Sequence, residues 1–152
     1  MKDNSAALFL ENQLCFPLYA ASRLTTKVYG PYLDSLGITY PQYLVMLVLW
    51  QHQELSVKRI GEKLYLESNT LTPLLKRLEQ KDLISRTRST EDERTVIVSL
   101  TEMGKKLKEE AVSIPEKIKD SFQNSSIDED ELQIFKTTLF KLLDILNEKT
   151  SK

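Results

Sequence analysis

Two short amphipathic segments near the middle of the chain lie very close together, and a β-prone stretch follows them. In the second segment, four leucines recur at helical spacing and form one apolar stripe: Leu71, Leu74, Leu75 and Leu78. The first segment begins with a capping serine, Ser56, and places Val57, Ile60 and Leu64 on one side. Only residues 65–68 separate the two periodic patterns. This spacing predicts a helix–turn–helix.

Residues 83–88 and 95–100 are rich in β-branched and apolar side chains and flank a charged loop at residues 89–94. The pattern predicts a β-hairpin that follows the second helix as a wing. The expected fold class is therefore mainly α (α+β), with a winged helix-turn-helix lobe at residues 55–101. A chain of 152 residues is long enough for one domain, which we place at 1–152.

The polar side of the second helix carries small hydroxyls, an amide and cations, which suit the major groove of DNA. An ordinary solvent-exposed helix has the same composition, so the interpretation depends on the hairpin beside it. Arginines of the hairpin could enter a narrow minor groove, and Asp92 is expected to orient Arg94. The predicted DNA-binding residues are Ser68, Asn69, Thr70, Thr72, Lys76, Arg77, Arg86, Arg88, Asp92 and Arg94.

The distribution of charge supports this interpretation better than its total. The whole chain has a formal net charge of -1, whereas residues 68–90 carry five basic and two acidic side chains. One cysteine and one histidine exclude an internal disulfide and a zinc site. No cofactor is expected. No apolar run approaches 18 residues and no leader pattern opens the chain, so we expect a cytoplasmic protein that does not enter the membrane.

Helical patterns outside the lobe, at residues 7–30 and 102–149, are too extended to bury against it and predict a homodimer interface. Pro17 should start or kink the first helix near Cys15, and Gly30-Pro31 should end it. Pro115 predicts a bend, and a capping box at residues 126–129 should begin the last helix. A two-fold dimer would bind a palindromic operator in double-stranded DNA.

A further helix should begin with Thr39 as its cap and Pro41 in its first turn. The apolar residues of this segment are expected to lie in the core: Tyr43, Leu44, Leu47, Val48, Leu49 and Trp50.

The chain resembles the MarR family of dimeric winged-helix regulators over essentially its whole length. The resemblance is carried by three groups of residues: Leu55, Val57, Ile60, Gly61 and Leu64; then the run from Leu71 to Glu79; then Asp92, Arg94 and the Leu100-Thr101-Glu102 turn with Gly104. The stretches around Cys15, Tyr29 and Tyr40 are similar to the one-cysteine organic hydroperoxide repressors, and also to the thiol-based global regulators of staphylococcal type.

That resemblance implies that Cys15 is a peroxide-sensing thiol and that Tyr29 and Tyr40 donate hydrogen bonds to it across the dimer interface. A thiolate, and not a thiol, is the nucleophile that attacks peroxide. Oxidised Cys15 would condense with a low-molecular-weight thiol or oxidise further, and the operator would be released. Four aromatic residues are further expected to line a pocket for the hydroperoxide's organic group: Phe16, Tyr19, Tyr32 and Tyr43. Pro17 and Tyr32 depart from the family's pattern and could alter access to the thiol.

Three alternatives remain open from the sequence. The effector could be a non-covalent ligand, with Cys15 a small core residue. The chain could be a one-cysteine thiol peroxidase, although no Thr or Arg pair near Cys15 is suggested by the sequence. A winged helix could also bind protein instead of DNA, which the arginines of the hairpin disfavour.

Overall fold

Seven α-helices and a three-stranded antiparallel sheet make up residues 4–151, the part of the chain that the computed structural model describes. Residues 1–3 and 152, which complete the predicted domain, lie outside the described residues. Two short 3-10 turns, Ser5–Leu8 and Leu10–Asn12, precede the first helix. In chain order the elements are α1 (Cys15–Leu36), α2 (Tyr40–His52), β1 (Glu54–Ser56), α3 (Val57–Leu64), α4 (Ser68–Gln80), β2 (Ile84–Arg88), β3 (Val96–Leu100), α5 (Glu102–Ala111), α6 (Ile114–Ser121) and α7 (Glu129–Thr150).

The first helix begins where the sequence predicts and ends later. Pro17 lies in its first turn, where a missing N–H removes no helical hydrogen bond. The expectation that Gly30-Pro31 ends the helix is wrong, because α1 continues for another turn and a half and buries Leu33 in the core. That burial offsets the hydrogen bond that Pro31 removes. The helix ends at Gly37, whose φ of 67° is left-handed and whose amide donates to the last turn.

Helix α2 has the predicted cap, reinforced by a capping box in which Thr39 and Gln42 bond each other's backbone amides. Most of the predicted core positions are buried, but Leu47 is 40% exposed and that prediction is wrong. Val45 and Met46 were not predicted and are fully buried. The helix contacts α1, α3, α4, α5 and the sheet, so its inward-facing residues do not form the single stripe that periodicity detects.

The winged helix-turn-helix is confirmed. Helices α3 and α4 pack on each other, and Ile60, Leu71, Leu75 and Leu78 are buried between them and the sheet. The strand order is β1-β3-β2, with β2 and β3 forming the predicted hairpin and β1 closing its other side. Val98, at the centre of β3, is fully buried beneath the helices.

Helix α5 joins the lobe to the C-terminal helices. Thr101 caps α5 as predicted, and the indole N–H of Trp50 donates to the carbonyl of Gly104 at 2.9 Å. A side chain at Gly104 would overlap the carbonyl oxygen of Leu83, so this close approach requires glycine. The break that Pro115 predicts is confirmed, since α5 ends at Ala111 and α6 starts three residues later.

Helix α7 begins two residues later than predicted. Asp128, and not Ser126, is its cap, because the side chains of Asp128 and Glu131 satisfy each other's backbone amides. No residue of this helix is buried in the protomer, and Ile134 is 67% exposed. Among residues 4–151, none of the helices combines the length and the apolar character that crossing a membrane requires.

Candidate DNA interface and thiol site

The outer face of α4 carries the polar residues that the sequence assigns to DNA. The leucine stripe holds the opposite face in the core, which leaves this face to solvent. Exposed on it are Ser68, Asn69, Thr70, Thr72, Lys76 and Arg77. The Thr72 hydroxyl donates to the carbonyl of Ser68 at 2.7 Å, so its oxygen remains available as an acceptor.

The turn between α3 and α4 is fixed by Tyr65, which was not predicted from the sequence, and by Gly61, which was named only as part of the family pattern. Tyr65 ends α3 in a left-handed conformation, with a φ of 55°. Gly61 lies so close to the turn that a Cβ there would stand 2.7 Å from the carbonyl oxygen of Leu66. These constraints set how α4 projects from the lobe. Sequence periodicity does not report the backbone geometry of a tight turn, so it could not identify the part that these two residues play.

The tip of the wing is a hydrogen-bonded loop that presents Arg94. The Ser89 hydroxyl accepts from the amide of Asp92, and Asp92 Oδ1 accepts from the amide of Arg94 at 3.0 Å. Asp92 therefore orients Arg94 through its backbone and not through the guanidinium. Arg88 donates to the carbonyl of Glu93 at 2.8 Å, and Arg88 and Arg94 are both exposed.

One cleft connects the wing to α4. It has a volume of about 340 Å³, and its lining includes Ser68, Thr72, Arg86 and Arg94. The N-terminal end of α4 and the tip of the wing therefore border the same surface. This juxtaposition is what a duplex needs if one element enters its major groove and the other the neighbouring minor groove.

Arg86, predicted to project from the hairpin toward DNA, packs against α4 and does not extend freely like Arg88 and Arg94; its contact with DNA stays a prediction. Its guanidinium bonds Glu79 Oε1 at 3.1 Å, and its side chain is only 26% exposed. The side chain lies against the last turn of α4 because the opposite charge there is within reach of the strand.

Cys15 is the first residue of α1, and its side chain is exposed. Tyr29 lies fourteen residues further along the same helix, which corresponds to about 21 Å of helical rise. The thiol and the tyrosine of one protomer are therefore too far apart to form a hydrogen bond. Only a second protomer could bring the two groups together.

Tyr29 and Tyr40 do lie together. Their ring centroids are 4.9 Å apart, and both rings contact Tyr43, which is 3% exposed. Burial raises the pKa of the Tyr29 phenol, with a smaller contribution from Tyr40, and burial likewise raises the pKa of Tyr40. Both phenols therefore stay protonated at neutral pH and are able to donate hydrogen bonds.

The expected aromatic pocket is not formed within the protomer. Phe16 and Tyr19 are exposed on the first turns of α1, where Arg23 lies 5.1 Å from the Tyr19 ring centroid. Tyr32 lies more than three turns away, beneath Lys117, and Tyr43 is in the core. The four residues were grouped because all are aromatic, but their positions along α1 and α2 keep them apart within one protomer.

Comparisons with known proteins agree with this architecture. Residues 27–111 match the family described as Transcriptional regulator SarA/Rot. The chain is 56% identical over 140 residues to an organic hydroperoxide resistance transcriptional regulator of Bacillus subtilis (strain 168). The aligned region covers 92% of this chain and 93% of the relative. It is 42% identical over 117 residues to the HTH-type transcriptional regulator SarZ of Staphylococcus aureus, and this alignment covers 77% of this chain and 79% of SarZ.

Solved structures give the same result. Reduced AbfR bound to DNA is 39% identical, with a TM-score of 0.76 over 96% of this chain and 99% of that chain. AbfR, a protein of Staphylococcus epidermidis, is similar at a TM-score of 0.73 in an overoxidised form that is also bound to DNA. The chain therefore belongs to the winged-helix transcriptional regulators of the MarR and SarA/Rot type, in the branch that contains the organic hydroperoxide resistance regulators.

Proposed function

We propose that this protein is a homodimeric DNA-binding repressor that releases its operator when organic hydroperoxide oxidises Cys15. The observation that carries the proposal is the separation of Cys15 from Tyr29 along a single helix, α1. The thiol can meet Tyr29 and the adjacent Tyr40 only across a two-fold axis, so a contact with these two phenols would couple its chemistry to the geometry of the dimer. Since the target is DNA, we assign the protein to the cytoplasm.

The proposed dimer interface consists of α1 and α6–α7. Large apolar side chains on α1 and α7, and the cap residue of α1, are exposed in the protomer: Leu14, Leu24, Val28, Ile134, Phe135, Phe140 and Ile145. An isologous two-fold contact would bury them and place two α4 helices on one side of the dimer. The two lobes would then bind half-sites of a palindrome about one helical turn apart.

The DNA contacts are assigned by position. The α4 face, from Ser68 to Arg77, would enter the major groove, and Arg94 would enter the neighbouring minor groove. Lys76, exposed near the middle of the helix, suits a phosphate contact. Arg88 is exposed but already bonded to the wing loop, so it would reach the backbone without entering a groove.

The proposed redox step is a two-electron oxidation of the thiol. The Cys15 thiolate attacks one peroxide oxygen, the O–O bond breaks, and the alcohol leaves after taking up a proton, so that the cysteine becomes a sulfenic acid. A low-molecular-weight thiol then condenses with the sulfenic acid, which releases water and leaves a mixed disulfide. The chain contains one cysteine, so an internal disulfide cannot form instead.

Release follows from the size of the group added to Cys15. Tyr29 and Tyr40 are packed against buried Tyr43, so they cannot move aside without disturbing the core. A bulky adduct would therefore separate the α1 helices and change the distance between the two lobes. The overoxidised form of AbfR is bound to DNA. This supports the proposal that release requires the bulk of an adduct and does not follow from loss of the thiolate alone.

A second candidate, regulation by a non-covalent ligand, is favoured by one observation. An apolar cleft of about 310 Å³ lies between α2 and the junction of α5 and α6, lined among others by Tyr43, Leu47, Trp50 and Val112. Alkylating Cys15 distinguishes the two candidates. Unchanged DNA binding and an unchanged response after alkylation would favour the ligand.

The proposal is tested by a mobility shift on the DNA directly upstream of the protein's own gene, with and without cumene hydroperoxide and a small thiol. We expect the reduced protein to bind and the oxidised protein to be released. Intact mass should show a single thiol adduct per chain. Release with no mass change on the protein would overturn the redox assignment.

A further inference from the structure

The carboxylate of Glu79 joins the last turn of α4 to the wing. Its Oε2 accepts from the backbone amide of Arg86 at 3.0 Å, and its Oε1 accepts from the Arg86 guanidinium at 3.1 Å. Strand β2 lies at the edge of the described sheet, so the amide of Arg86 points away from β3 and receives no partner from a strand. Glu79 supplies that partner.

Arg86 is poorly placed to contact DNA directly. Its Nε is buried and has no hydrogen-bond partner among the described residues, so a phosphate cannot reach it without rearrangement. The Arg86 guanidinium holds the pKa of the Glu79 carboxyl below its usual range, which keeps the carboxylate ionised at neutral pH. A carboxylate this close offsets the guanidinium's attraction for a more distant phosphate.

The contact between Glu79 and Arg86 lies where it can set the direction of the wing tip. Arg86 faces Val98 in the middle of the ladder, and Arg88 faces Val96 at the last pair before the loop that presents Arg94. Fixing β2 at Arg86 therefore fixes the direction in which the remainder of the hairpin extends. The same carboxylate belongs to α4, so the contact sets the wing relative to the helix that enters the major groove.

We propose that Glu79 and Arg86 form a positioning clamp, which holds the wing at the angle to α4 that lets Arg94 and the α4 face contact one duplex together. This inference rests on the proposed DNA-binding function. Arg86 then acts through Arg94 and not through a phosphate contact. Glu79, an acid beside the DNA surface, favours binding because it orders the wing.

The clamp makes a prediction opposite to that of simple electrostatics. Removing an acid near DNA ordinarily strengthens binding, since repulsion of the phosphates is lost. We expect Glu79→Ala to weaken binding about three- to tenfold, which is in the lower part of the range measured for coupled contacts. Arg86→Ala keeps the backbone amide bond to Glu79, so it should weaken binding by less, and the double variant should lose no more affinity than Glu79→Ala alone.

The experiment measures the affinity of the full-length dimer for the upstream duplex at several salt concentrations. Lys76→Ala is the matched control, because a lost phosphate contact lowers the salt slope by about 0.9 per protomer. The clamp predicts an unchanged slope for Arg86→Ala and partial rescue by Arg86→Lys, which restores a cation beside Glu79. Glu79→Gln retains the shape of the side chain, so it should also weaken binding, but by less than Glu79→Ala.

Two results would overturn the clamp while wild type still binds: an unchanged or higher affinity for Glu79→Ala, or a salt slope for Arg86→Ala that falls as it does for Lys76→Ala. A readout without DNA completes the test. The amide of residue 86 should exchange with solvent faster in Glu79→Ala than in wild type, and equal rates would also overturn the clamp. If wild type itself does not bind the duplex, the proposed function fails as well, so the two failures can be told apart.

Discussion

Replacing Arg94 by alanine tests the wing's role in DNA binding. The Arg94 side chain is exposed, and none of the ion pairs found among the described residues involves it. Its charge is therefore fully available to DNA. A direct arginine contact contributes about 1–3 kcal/mol, and the dimer carries two, so we expect a loss of about 2–6 kcal/mol. At the lower end, this loss corresponds to about a 30-fold weaker affinity.

Two controls separate this contact from a general loss of charge or order. Lys141→Ala removes an exposed cation from α7, a helix to which no DNA contact is assigned, and should leave affinity within about twofold. Asp92→Ala leaves the Arg94 guanidinium in place and removes a hydrogen bond to its backbone together with one acidic group, so its effect should be smaller than that of Arg94→Ala. Fluorescence anisotropy on the upstream duplex gives all three affinities. An Arg94→Ala protein that binds as well as Lys141→Ala would refute the assignment.

Two further predictions concern the thiol site and the joint between the lobe and α5. Tyr29→Phe and Tyr40→Phe should each bind DNA normally but react about tenfold more slowly with an alkylating reagent, because each removes a hydroxyl that is proposed to donate to the thiolate. Equal alkylation rates would contradict the proposed contact. Gly104→Ala should lower the free energy of unfolding by about 2–3 kcal/mol, because its Cβ would overlap the Leu83 carbonyl. Gly30 lies inside α1, and a Cβ there would meet nothing within 4 Å, so Gly30→Ala should raise the free energy of unfolding by about 0.5–1 kcal/mol. A denaturant titration in which both variants shift in the same direction would contradict the role assigned to the Gly104 contact.

The winged helix-turn-helix could be predicted from the sequence because its signals are local. The leucine stripe of α4, the cap at Ser56 and the β-prone runs of the hairpin each depend on residues a few positions apart. The periodicity of one face also identified the opposite face, so every polar residue assigned to the α4 surface is exposed.

The errors arise where tertiary contacts decide the outcome. Leu33 reaches the core only because α1 continues past Pro31, and no local pattern shows that the core lies there. Arg86 and Glu79 are separated by the turn that joins a helix to a strand, so their pairing depends on the packing of β2 against α4. The aromatic residues of the expected pocket were grouped by chemistry, whereas the rise of α1 determines which of them can meet.

The proposed contact between Cys15 and the tyrosines also depends partly on local signals and partly on tertiary structure. The sequence could identify the residues through a family resemblance, and the protomer confirms that Tyr29 and Tyr40 are adjacent. The position of the thiol relative to them depends on the second protomer, which neither helix periodicity nor capping describes.

The most direct test of the sensing mechanism is the response of Cys15→Ser to cumene hydroperoxide in a mobility shift. The serine side chain is close in size to cysteine and lies at an exposed helix start, so the variant should fold, dimerise and bind the upstream duplex like wild type. Its hydroxyl cannot form a sulfenic acid, and the chain has no other thiol. We predict that peroxide, at a dose that releases wild type, leaves Cys15→Ser bound. Release of Cys15→Ser at that dose would contradict the proposal that Cys15 is the sensor.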